Sequence, residues 1–171
     1  FPEAKMNLSV VSLGLDSMLF RVEHHFSAPD NTGANPNNYQ LSTRFWEVYH
    51  DGTDFIDAQG TVTYDGRGQQ DQLDVQLFAN TSPSEDSLLV LYRPGAGYPW
   101  QEWPTYTKLM LTSTTDKFGQ MRIQHMRPGQ YTIAKGVSTV AAIEPSIALG
   151  KVLVTPNPFI DEISVTCTGS F

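Results

Sequence analysis

Residues 43–50, TRFWEVYH, decide the fold. Phe45, Glu47 and Tyr49 alternate with Arg44, Trp46, Val48 and His50, so each face of an extended segment carries an aromatic ring. A period of two is the mark of a strand, in which successive side chains point to opposite faces. The same period recurs at 105–112, where Tyr106, Lys108, Met110 and Thr112 oppose Thr107, Leu109 and Leu111. Further strand patterns lie at 7–13, 18–27, 58–65, 71–79, 87–92, 119–125 and 130–134. Turn residues punctuate them: Gly14-Leu15-Asp16, Asp51-Gly52, Asp65-Gly66, Gly95-Ala96-Gly97 and Arg127-Pro128-Gly129. Helical periodicity is nearly absent. About nine short strands joined by such turns predict two packed antiparallel sheets.

Composition narrows the function classes. The chain has 171 residues, 40% hydrophobic and 17% charged, which is too apolar for disorder and too lightly charged for a coiled coil. The net charge is −7 and no Lys/Arg cluster occurs, which argues against a nucleic-acid or anionic-membrane surface. No apolar run reaches the ~18 residues that a spanning helix requires, so membrane insertion is not expected. Cys167 is the single cysteine, so neither an intrachain disulfide nor a thiolate zinc site can form. The opening FPEAKMNLSV has neither a basic stretch nor an apolar core, and reads as a start inside a longer chain.

Candidate chemistry is sparse. Glu23-His24-His25 lies on an expected strand, where consecutive histidines face opposite ways and cannot readily chelate one ion together. His24 with a distant His50 or His125 is the remaining combination. Asp51, Asp54 and Asp57 share one loop but lack calcium-loop spacing, and no HExxH, G-x-S-x-G or phosphate-binding glycine motif occurs. Cys167 has no local histidine to activate it. The expectation is therefore no catalytic residue, no metal ligand set and no cofactor. The stretch that stands out is 98–106, YPWQEWPTY, a proline-stiffened loop with Tyr98, Trp100, Trp103 and Tyr106. Buried, these rings cap the sandwich or pack on a neighbouring domain; exposed, they stack on sugars or anchor a partner.

Several stretches resemble known families. Pro128-Gly129-Gln130-Tyr131-Thr132-Ile133 resembles the end of an immunoglobulin-like sandwich, where a turn delivers a tyrosine into the last strand to pack at the sheet edge. The fold class is thus read as all-β, an immunoglobulin- or fibronectin-like antiparallel β-sandwich with a short C-terminal β appendage. Near the C-terminus, KVLVTPNPFIDEISV (151–165) places Pro156, Asn157, Pro158 and Phe159 between two strand patterns, followed by Asp161 and Ile163. Prolines two apart cannot sit inside a paired strand and force a turn. This wording resembles the opening of the C-terminal sorting domain of proteins exported by the type IX secretion system of Bacteroidetes. That family's domain continues well beyond Phe171, so 151–171 would be its truncated start. RVEHHFSAPD (21–30), RFWEV (44–48) and LVLYRPGAG (89–97) resemble the β-sandwich that follows the catalytic region in exported M1-family, aminopeptidase N-like, metallopeptidases of those bacteria.

These resemblances imply a sandwich over 1–135, a linker over 136–150 and a sorting segment over 151–171. They imply a non-catalytic accessory domain of a secreted or cell-surface protein, exported across the outer membrane. Its partners would be the catalytic domain of the same parent chain and the type IX machinery. The zinc ligands of those peptidases do not occur here, so no catalytic residue carries over. Asp16-Ser17-Met18 and Asp86-Ser87-Leu88 are similar to bacterial O-glycosylation sites, which would modify Ser17 and Ser87. The alternative is a carbohydrate- or surface-binding module that uses the aromatic loop.

Overall fold

The structure, a computed structural model, describes residues 4–12, 19–30, 35, 37–51, 57–68, 73–79, 84–110 and 113–139, and the backbone of 153–154 and 165–166. Contacts divide the chain into two compact units, Phe1–Val140 and Ala141–Phe171. In the first unit, one sheet joins β1 (Met6–Ser12), β5 (Asp57–Asp65), β9 (Phe118–Ile123) and β8 (Tyr106–Met110), in that order. The other sheet runs β2 (Phe20–His25), β4 (Phe45–His50), β10 (Gly129–Lys135), β6 (Leu88–Arg93) and β7 (Gln101–Glu102). A two-residue strand, β3 (Gln40–Leu41), pairs with the far end of β10. The strand pairings are antiparallel, and the expected all-β sandwich is what the chain forms.

The period-two reading explains the core. In β5, Ala58, Gly60, Val62 and Tyr64 turn inward at every second position. Val62 and Tyr64 meet Trp46 and Val48 of β4, Val90 of β6 and Tyr131 and Ile133 of β10 in one buried cluster, which also holds Met6, Met121 and Ile123. A second cluster lies on the opposite face of the six-stranded sheet, where Tyr39, Leu89, Leu91, Trp100 and Ala134 pack together. Strands β6 and β10 are therefore covered on both faces, which is why their side chains are almost continuously buried.

Residues 71–79 are where the strand reading fails. Leu73–Val75 form a turn and α1 (Gln76–Ala79) follows, burying the adjacent pair Leu77 and Phe78. The cause is Asp74. Its carboxylate accepts from Arg44 Nε at 3.0 Å, Arg44 Nη2 at 2.6 Å, Ser42 Oγ at 3.2 Å and the Asp65 amide at 3.0 Å. Arg44 and Asp74 are both buried, so a charge pair with four satisfied contacts fixes the chain where a strand would have run past.

Tyr131 enters a central strand rather than a sheet edge, because β10 lies between β4 and β6. Its hydroxyl accepts from the Arg127 amide at 2.7 Å and donates to the Arg127 carbonyl at 2.9 Å. A buried tyrosine bonded to backbone a few residues upstream is the tyrosine corner of immunoglobulin-type sandwiches. Gly129 permits the entry. Its φ is +141°, and a Cβ there would lie 2.6 Å from both the Arg93 carbonyl and the Tyr92 ring.

The sandwich's hydrogen bonds run beyond Lys135 into the expected linker. Gly136 N–H donates to the Ser87 carbonyl at 2.9 Å, and the Thr139 N–H and Ser138 hydroxyl donate to Glu102 at 2.7 and 2.8 Å. In the second unit, β11 (Leu153–Val154) pairs antiparallel with β12 (Val165–Thr166).

Candidate functional site

The aromatic loop does not form one patch. Trp100 is 0% exposed and joins the outer cluster, with the Arg93 guanidinium 4.4 Å from its ring centre. Trp103 is 6% exposed and belongs to the inter-sheet core, where its indole N–H donates to the Gln124 carbonyl at 2.8 Å. Tyr106 is half-buried between the two clusters and donates to Glu102 at 2.8 Å. Burial and the Glu102 carboxylate both push its phenol far above the ordinary value. Only Tyr98, 57% exposed, faces solvent. The two indoles thus present no open face on which a sugar could stack: Trp103 is spent on the inter-sheet core and Trp100 on the outer cluster.

Beside this loop lies a cleft of about 480 Å³, lined by Tyr92, Gln101, Glu102, Trp103, Pro104, Thr105, His125 and Arg127. Two of its lining residues are aromatic: Tyr92 and Trp103 meet edge-on with ring centres 4.9 Å apart, and both pack on the buried Tyr131 at 5.0 and 5.7 Å. Its rim carries both signs of charge. His125 Nδ1 lies 2.9 Å from Asp57, and Glu102 binds Tyr106, Ser138 and Thr139.

The histidine pair behaves as strand geometry requires. His24 stacks on Trp46 with ring centres 5.1 Å apart, while His25 stacks on Phe45, on the other face, at 4.3 Å. His50 packs edge-on against Phe20 and His125 turns to Asp57, so the distant histidine combinations do not assemble around His24. What sequence spacing did not show is a cross-strand group. The register sets Glu23 directly opposite Glu47 and His25 opposite Phe45. His25 Nε2 consequently lies 3.6 Å from Glu23 and 3.7 Å from Glu47. Tyr49 hydrogen-bonds Glu47, which raises the phenol above its ordinary value, and Arg21 approaches Glu23 at 3.1 Å. Only the pairing of β2 with β4 could have revealed this group.

Among the remaining sequence candidates, Ser87 is half-buried just before β6, and its carbonyl is occupied by Gly136. Ser17, Cys167 and the residues Pro156, Asn157, Pro158, Phe159, Asp161 and Ile163 lie outside the described residues. Among the described residues, no helix is long and apolar enough to cross a membrane. Comparison with known protein families, curated proteins and solved structures finds no match.

Proposed function

We propose that the chain is the non-catalytic accessory region of a secreted or cell-surface bacterial protein. It joins the catalytic part of that protein, a zinc peptidase by the resemblance of residues 21–30, 44–48 and 89–97, to a type IX sorting signal. The observation that supports this reading is the separation of Ala141–Phe171 from the sandwich as its own contact unit. The segment's two short strands, β11 and β12, pair with each other, and the Pro156-Asn157-Pro158 sequence falls between them in the chain. An address built this way needs nothing from the sandwich's core. The sandwich in turn supplies a rigid spacer: its inner core is filled from both sheets, and both tryptophans of the aromatic loop are consumed in packing.

Purified chain supplied with Zn²⁺ is expected to show no turnover of aminoacyl chromogenic substrates. Turnover that survives repurification and disappears with a chelator would overturn the reading.

A second reading, a carbohydrate- or surface-binding module, is favoured by the cleft beside Trp103 rather than by open indole faces. Its aromatic lining residues and polar rim suit a small polar ligand. Saturable quenching of tryptophan fluorescence by a polysaccharide, abolished in Arg127→Ala and Gln101→Ala, would establish it.

A further inference from the structure

The outer face of the β2–β4 pair carries an arrangement that neither the sandwich nor its proposed role requires. Alternation sends Arg21, Glu23 and His25 of β2 to the same side as Phe45, Glu47 and Tyr49 of β4. Like charges placed directly opposite each other across a strand pair repel, yet Glu23 and Glu47 are such a pair. The Arg21 guanidinium sits at Glu23 Oε1 and leaves Oε2 turned toward His25. The His25 ring is held almost parallel to Phe45, at an interplanar angle of 7°, which fixes where its Nε2 points. That nitrogen is shielded from solvent and makes no hydrogen bond, although two carboxylate oxygens stand 3.6 and 3.7 Å away.

Those separations are too long for hydrogen bonds but suit ligands around a common ion. With bonds of about 2.1 Å, two ligands of a tetrahedral ion sit about 3.4 Å apart. The three donor atoms, one each from Glu23, His25 and Glu47, all lie within 4.8 Å of one another, so small side-chain adjustments close the set. Among the described residues this is the one such group of three. Phe45, stacked on the imidazole, orients it as the outer contacts of a metal centre do. One imidazole with two carboxylates suits a divalent transition ion of the zinc class better than Ca²⁺, which takes six to eight oxygens.

We propose that Glu23, His25 and Glu47 bind one divalent transition-metal ion, typified by Zn²⁺, on the outer face of the six-stranded sheet. The three side chains are all part-exposed, so water completes the coordination. Because β2 is the edge strand, the ion would tie that edge to β4 and relieve the repulsion of the facing glutamates. The proposal is independent of the accessory role, because it is read from metal binding and not from turnover.

The test is calorimetric titration of the tag-free 171-residue chain with ZnCl₂ at neutral pH, followed by Co²⁺ with visible spectroscopy. One equivalent is expected to bind, with Co²⁺ giving d–d bands of a low-coordinate nitrogen–oxygen site. Binding is expected to be lost in His25→Ala, weakened at least tenfold in Glu47→Gln, and retained in His125→Ala. Far-UV circular dichroism checks that each variant is folded; should His25→Ala not fold, Glu23→Gln carries the same expectation as Glu47→Gln. No saturable binding, binding unchanged in Glu47→Gln or Glu23→Gln, or loss confined to His125→Ala would overturn the proposal. Any of these outcomes leaves the accessory reading intact.

Discussion

Asp74→Ala is expected to be the most damaging single change in the sandwich that removes no apolar core atoms. The buried Asp74 carboxylate holds two guanidinium contacts, the Ser42 hydroxyl and the Asp65 amide. Deleting it leaves Arg44 as a buried charge whose remaining side-chain bond goes to the Thr63 carbonyl at 2.7 Å. Its cation–π contact with Trp46, 4.7 Å from the ring centre, cannot replace a counter-ion. Breaking a buried pair from one side costs about 3–5 kcal/mol. With a urea m-value of about 2 kcal/mol per molar, the unfolding midpoint should fall by about 1.5–2.5 M. Arg44→Met/Asp74→Leu should recover a substantial part of that loss, because it removes both charges together. Recovery should stay incomplete, since the Asp65 amide and Thr63 carbonyl lose their partners. Urea titrations followed by tryptophan fluorescence measure all four corners of the cycle. A midpoint loss below about 0.5 M in Asp74→Ala, or a double variant as weak as the sum of its parts, would refute the reasoning.

Three further outcomes are expected. Tyr131→Phe removes a hydroxyl that serves both the amide and the carbonyl of Arg127, and should cost about 1–3 kcal/mol by thermal unfolding, with no change in far-UV signal; an unchanged midpoint would remove the corner from the account. Burial raises the Glu85 carboxyl above the usual carboxylate range, so the native state holds its proton more tightly than the unfolded chain. Its contribution is therefore greatest below the unfolded pKa and is lost as pH rises toward the native one. Glu85→Gln should remove that loss, which sets in as pH rises above the ordinary carboxyl value, and parallel stability–pH curves for the two proteins would contradict it. Ending the chain at Val140 should move the thermal midpoint by no more than a few degrees, whereas ending it at Lys135 should lower it further by freeing Glu102 from Ser138 and Thr139. A large drop on the first truncation would place 141–171 in the sandwich core.

The sandwich was legible wherever burial alternates residue by residue. Val62 and Tyr64, or Trp46 and Val48, announce a half-buried strand by spacing alone. It was illegible where a long-range contact overrides the local pattern. Leu73, Val75 and Leu77 alternate as a strand would, but Asp74 must meet Arg44, thirty positions away, and the chain bends to do so. The short strands β3 and β7, two residues each, carry no pattern to read. The aromatic loop was legible as unusual, but spacing could not assign Trp100 to the outer cluster and Trp103 to the inner one. Glu23, His25 and Glu47 become neighbours only through strand register, which sequence periodicity leaves open.

Export itself is the most direct test of the accessory reading. On that reading the source is an exporting bacterium, in which the reading frame is stopped after Gly150 and the protein is followed by antibody in periplasm, cell surface and medium. The account predicts that the stopped protein accumulates in the periplasm, with its sandwich folded and protease-resistant, while the unaltered protein reaches the exterior. Delivery of the stopped protein to the surface or medium at the unaltered level would contradict it.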